Sequence, residues 1–198
     1  MDRQRGYSTM ELAVSLAIFG IVAGIAVPAI VSLTQRAALR VGIARVYDLL
    51  RLTKEQAVSL AANRGIKFFR DEDGSWSYAV YDDGDGDGVL NADIESGVDP
   101  LVDGPEVLLP ATGAATIGIP PDGVPDPDGG RRILPVAAPI QFNRSTICSF
   151  AMDGSSTPGS IYLRTVSGDA AVIRASGDGG RLTILLLAKG SSRWRPPS

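Results

Sequence analysis

The chain has 198 residues, with 19 Lys and Arg against 22 Asp and Glu, a formal net charge of −3. That balance gives no general attraction to nucleic acid. It contains no histidine and a single cysteine, Cys148. These two facts exclude His-dependent catalytic triads, HExxH and Cys/His zinc sites, and any intramolecular disulfide.

The first 33 residues carry the most specific pattern. A short leader with Arg3 and Arg5 precedes Gly6-Tyr7-Ser8-Thr9-Met10-Glu11-Leu12, and from Leu12 to Leu33 nothing is charged. At 1.5 Å per residue this run spans roughly 33 Å, enough to cross a hydrocarbon core of about 30 Å. A secretory signal peptide would have a shorter apolar core followed by a small-residue cleavage site. Glu11 stands at the start of the run, where a carboxylate is costly unless paired. Cleavage after Gly6 would supply a partner, because it creates a new amino terminus at the same depth.

The glycine, the glutamate five places beyond the cut and the Ala/Val/Ile/Leu-rich run with Pro28 resemble the class III signal of type IV pilins and type II secretion pseudopilins. The resemblance implies that a prepilin peptidase removes residues 1–6, that Tyr7 is N-methylated, and that Glu11 guides subunit assembly. Tyr7 replaces the commoner Phe or Met, and Thr9-Met10 the commoner Leu-Ile. Other pilins or pseudopilins would be the partners and a secreted substrate a further one. The location would be the bacterial inner membrane, single-pass, with the soluble domain periplasmic. Arg3 and Arg5 place the leader on the cytoplasmic side.

Residues 7–33 therefore read as the membrane and assembly helix, with a bend expected near Gly24 to Pro28. Gly20 and Gly24 have the spacing that allows close helix approach in lipid. Residues 34–65 read as an amphipathic continuation ending near Ala62. Ile43, Val46, Leu50 and Ala57 share one face, Arg51 and Glu55 form an i,i+4 pair, and Gly65 is positioned as the residue that ends the helix.

From Ile66 the period changes to two. Ile66–Arg70 and Trp76–Tyr81 flank a turn-rich Asp71–Ser75 and predict a hairpin. Residues 82–130 read as an acidic, Gly/Pro-rich irregular insertion with short apolar pieces such as Val107-Leu108-Leu109. Fifteen acidic residues and no Lys or Arg lie between Asp71 and Gly130. A meander then follows, with strands predicted at Ile140–Phe142, Thr146–Met152, Ser160–Thr165, Ala170–Ala175 and Arg181–Ala188. Residues 189–198 read as a flexible tail. The fold class is thus α+β, a long N-terminal membrane-spanning helix packed on an antiparallel β-sheet domain. The layout resembles the minor pseudopilin H and FimT-like minor pilin branch of the family.

Within the insertion, Asp83-Gly84-Asp85-Gly86-Asp87-Gly88-Val89 has D-x-D-x-D-G spacing. Carboxylates at positions 1, 3 and 5 and the Val89 carbonyl can converge on a hard cation, calcium being the expected ion, with Leu90 anchoring the loop. Position 12, a bidentate Glu in a full EF-hand, is Ile94; Asp93 or Asp99 would have to close the site. The competing reading is a solvated turn in which Asp and Gly serve backbone geometry. No cofactor is required by either.

A second functional class, a DNA-binding FimT-like minor pilin, rests on Arg181, Lys189, Arg193 and Arg195 with Trp194 for stacking. The acidic balance of the chain argues against nucleic acid as a partner. A hydrolase built on the loop acids lacks the pocket that would perturb them, and no enzymatic activity is expected.

Overall fold

The computed structural model describes residues 9–129 and 138–197. One helix, α1 (Thr9–Leu60), runs without a break through Pro28. Among the described residues nine strands follow: β1 (Arg64–Arg70), β2 (Trp76–Asp82), β3 (Leu101–Leu109), β4 (Ala115–Ile117), β5 (Ile140–Phe142), β6 (Ile147–Phe150), β7 (Gly159–Thr165), β8 (Ala170–Ala175) and β9 (Leu182–Leu187). A short helix α2 (Asn91–Ser96) and a 3-10 turn (Asp178–Gly180) complete the elements. They form two antiparallel sheets, β3-β2-β1-β6 and β4-β7-β8-β9, with β5 sharing the β7 edge with β4. The architecture is therefore α+β, a long apolar N-terminal helix followed by antiparallel sheets.

The helix has two halves of different character. From Leu12 to Leu33 its large apolar side chains, including Leu16, Phe19, Ile21, Ile25 and Ile30, are all exposed. A stretch apolar all round with nothing covering it is long and apolar enough to cross a membrane. Beyond it, Leu39, Gly42, Ile43, Val46, Leu50, Thr53 and Ala57 are buried, one stripe at three- and four-residue spacing. That stripe includes the four apolar positions expected from the sequence. The stripe lies over the seam between the sheets: a Cβ at Gly42 would meet Leu163 of β7 at 3.2 Å and Leu109 of β3 at 3.5 Å. Gly42 is small so that the helix can approach both sheets closely.

The principal core joins this stripe to Ile66, Phe68, Leu108, Phe142, Phe150, Ile161, Leu163 and Ile173. A second apolar cluster on the other face of the β7–β9 sheet gathers Tyr162, Val172 and Leu187 beneath Ile119, Val124 and Trp194. Both faces of β7 are thus covered, which is why its sequence is apolar on both. Cys148 is fully buried in the principal core and burial pushes its thiol pKa up, so it acts as a small hydrophobe.

Three expectations require correction. Gly65 does not end the helix. The left-handed position is taken by Ala61 (φ 50°), whose N–H donates to Val58 O (3.3 Å) while the Ala62 N–H donates to Ala57 O (3.1 Å). This is the Schellman pattern, with alanine where glycine is usual. Gly65 instead lies in β1, where a Cβ would sit 2.7 Å from Val89 Cβ, so its smallness makes room for the acidic loop.

The insertion is not irregular throughout, because β3 adds a fourth strand to the first sheet, paired to β2 across register shifts. Pro105, lacking an N–H, is tolerated on this edge strand. Finally, the tail is held in place: Leu186 and Arg195 exchange two backbone hydrogen bonds (2.7 and 2.9 Å), and Trp194 packs against Tyr162.

Candidate functional site

Glu11 lies in the first turn of α1, at the start of its exposed apolar half. Its backbone carbonyl accepts a hydrogen bond from Ser15 Oγ (2.8 Å). Gly6 and Tyr7, the expected processing positions, lie outside the described residues. Gly20 and Gly24 face open space, with nothing within 4 Å of a Cβ built on either. Among the described residues they pack against nothing, and that flank leaves room for a neighbouring helix.

The acidic loop is built on the far end of the first sheet, where β1 leaves the helix. Asn63 ties it down: its Nδ2 donates to Asp83 Oδ2 (2.8 Å) and its Oδ1 accepts from the Met152 N–H (3.2 Å). Asp83 also accepts from the N–H groups of Gly86 (2.7 Å), Gly88 (2.9 Å) and Asp85 (3.3 Å). Burial raises its pKa, but these hydrogen bonds to the charged form outweigh it and leave the group below the ordinary carboxylate value. Gly86 and Gly88 adopt positive φ (92° and 101°), which allows the loop to curl around that carboxylate.

The curl brings carboxylate oxygens of Asp83, Asp85 and Asp87 within 4.8 Å of one another. Asp93, expected to close the site, lies in α2 and is not part of that group. It still senses it: desolvation first, then the charge of Asp85, raises the pKa of both Asp87 and Asp93. All the donors are hard oxygens, the type calcium takes, but three carboxylates without the bidentate twelfth ligand make an incomplete set.

Two anchoring expectations change. Leu90 is 45% exposed and anchors nothing with its side chain; Val89, 3% exposed, is the buried residue, pressed against Gly65. Asp99 is not available as a fourth ligand of the exposed cluster. It is buried and its carboxylate accepts from the N–H groups of Gly84 (3.1 Å) and Leu90 (3.0 Å), clamping the loop shut. The sequence signal for this clamp is only an aspartate before Pro100.

No protein-family model, no curated protein and no solved structure matches the chain.

The tail residues proposed for nucleic acid do not form a stacking surface. The Trp194 indole N–H donates to Pro125 O (2.9 Å) and its ring packs on Tyr162, so it is committed to the fold. Arg181, Lys189, Arg193 and Arg195 are exposed. The Lys189 N–H donates to Asp169 Oδ1 (2.8 Å) and its side chain lies over Gly168.

Sequence reasoning also missed a buried ion pair beneath the loop. Arg64, 6% exposed, forms two hydrogen bonds to Asp82 (2.6 and 3.0 Å) and a third to Gln56 Oε1 (2.7 Å). It ties the end of α1 to the β1–β2 hairpin. An Arg at the head of a strand gives no sign of this burial until its antiparallel partner, Asp82, is placed opposite it.

Proposed function

We propose that this chain is a pilin-like filament subunit, a minor pseudopilin of a type II secretion system or a minor pilin of a type IV pilus. It is processed after Gly6, N-methylated at Tyr7 and assembled through its N-terminal helix. The observation that carries the reading is the single carboxylate, Glu11, at the head of an otherwise uncharged run whose apolar side chains are exposed all round. Such a surface needs lipid or other helices as its solvent, and Gly20 and Gly24 leave room for the latter. Glu11 is the group that would meet a neighbour's new terminal amine. A like helix, half bare and half packed on a β-domain, suits insertion first into the inner membrane and then into a filament core. The soluble domain would face the periplasm.

The test is Glu11→Ala in a host with the assembly machinery. Membrane fractionation should show normal insertion, while the variant disappears from sheared filaments. Incorporation at the wild-type level would contradict the mechanism. The Asp83-Asp85-Asp87 cluster is proposed as a weak calcium site that stiffens the loop, with the Val89 carbonyl as a further oxygen donor. A DNA-catching role for the tail gains nothing from the packed Trp194.

A further inference from the structure

A second charged site lies at the opposite end of the first sheet from the acidic loop. Between the β1–β2 hairpin and the β7 sheet is a cleft of about 580 Å³, and Arg70, Trp76, Thr116, Pro139, Thr146 and Arg164 are among the residues that line it. Among the described residues no carboxylate lines it. Arg70 is exposed and Arg164 half-buried, and among the described residues neither guanidinium has a hydrogen-bond or ion-pair partner.

Among the other arginines, Arg64 is paired with Asp82, Arg174 with Asp128, Arg36 with Asp169 and Arg51 with Glu55, whereas Arg181, Arg193 and Arg195 carry no ion pair among the described residues. The acids nearest in sequence to Arg70 are engaged elsewhere, Asp71 accepting from Ser77 Oγ and Asp73 from Ser75. Glu72 is exposed at the hairpin tip.

The cleft also holds its arginines in place. A Cβ at Gly118 would sit 3.0 Å from Arg164 Nε and 3.2 Å from its Cδ, so Arg164 lies flat across a backbone that only glycine leaves open. Arg70 passes Gly74 at ordinary contact distance, with Nη2 3.5 Å from a Cβ built there. Two unpaired planar guanidinium groups in an apolar-walled cleft select a carboxylate-bearing ligand, because each can hold such a group through two parallel hydrogen bonds.

We propose that this cleft docks the acidic loop of a second copy of the chain, with Asp85 and Asp87 entering it. The charges are complementary, and both aspartates are exposed. The two sites lie on one axis. β1 starts at Arg64, beside the loop, and ends at Arg70 in the cleft, about 20 Å away at 3.3 Å per residue. The loop end is level with the C-terminal end of α1, through Asn63 and Asp83. The cleft end is level with its middle, since Gly42 meets Leu163 and Leu109 and Arg45 donates to Val107 O. Docking loop into cleft therefore displaces one copy along the helix direction of the other. A head-to-tail contact of this kind repeats from copy to copy and builds an open filament wherever its rotation does not close a ring. The choice of a second copy as the ligand rests on the filament reading; the carboxylate preference of the cleft does not.

The test uses the full chain in detergent micelles at low salt with EDTA, and a fluorescent peptide of residues 83–93. Wild-type chain should bind the peptide saturably and salt-sensitively. Arg70→Ala/Arg164→Ala should bind at least tenfold more weakly with an unchanged far-UV spectrum. Arg70→Glu/Arg164→Glu should instead bind a peptide with lysines at the three aspartate positions 83, 85 and 87, a rescue that loss of folding cannot produce. The Arg70→Ala/Arg164→Ala chain, which keeps its loop, should displace the peptide from wild type, and adding Asp85→Asn/Asp87→Asn to it should remove that ability. Absence of binding, equal binding by the alanine variant, or stronger arginine-dependent binding of a single-stranded oligonucleotide would each overturn the cleft assignment. Peptide binding without displacement by the loop-bearing chain would overturn the second copy as ligand. None of these outcomes bears on whether Gly6 is processed.

Discussion

Ala61 shows how a single residue carries a conformation that its type disfavours. It occupies the left-handed position of the helix stop at φ 50°, at a cost of about 1–2 kcal/mol for a residue with a Cβ. Glycine there would relieve that cost and give back part of it through greater freedom of the unfolded chain. Ala61→Gly is therefore expected to stabilise the domain by about 0.5–1 kcal/mol in thermal unfolding. Arg64 is the opposite case, a well-satisfied residue in an expensive place. Asp82→Ala leaves its guanidinium buried with Gln56 alone, and since the Asp82 side chain is 34% exposed the expected loss is about 2–3 kcal/mol in urea unfolding, below the range for a fully sequestered pair. Combining it with Arg64→Leu should recover part of that loss, because the stranded charge is then gone.

At the scale of elements, the strands were legible where apolar alternation met turn residues. Ile140–Phe142 and Ala170–Ala175 fall where the pattern places them, and the Arg70–Trp76 hairpin closes through Gly74 at φ 84°. β3 was not legible, because Leu101 to Val107 face outward on an edge and carry Asp103, Gly104, Pro105 and Glu106 between the apolar residues. The stop at Ala61 was hidden for another reason: Gly65, the better candidate by composition, is needed for close approach of Val89. The carboxylate cluster was legible from its spacing, while the Asp99 clamp depends on a fold that brings position 99 back to Gly84.

The loop has a pH signature. Asp87 and Asp93 have raised pKa values, so their protons are held more tightly in the folded chain than in the unfolded one. Between the ordinary value of 3.8 and their folded values, lowering the pH favours the native state through these two groups. Calcium bound by the cluster must displace the Asp87 proton, and its charge disfavours the one on Asp93. At neutral pH about millimolar calcium should raise the melting temperature, and the gain should shrink as pH falls through that range. Asp85→Asn should abolish it. A gain that is independent of pH, or one that survives Asp85→Asn, would place the ion elsewhere.

For the whole molecule, the division of α1 into a bare half and a packed half organises everything else. The buried stripe from Leu39 to Ala57 fixes the second half of the helix to both sheets. A subunit drawn out of the membrane by its helix would carry its acidic loop and arginine cleft in a set orientation. The pilin-like assembly reading depends on the residues before the helix, and these can be tested directly. The chain should be produced with a prepilin peptidase and the intact mass and N-terminal sequence of the membrane-extracted product determined. The expected product is a mature chain that starts at Tyr7 and carries one N-terminal methyl group. A product that retains Met1 through Gly6, or one cut after the apolar run, would contradict it.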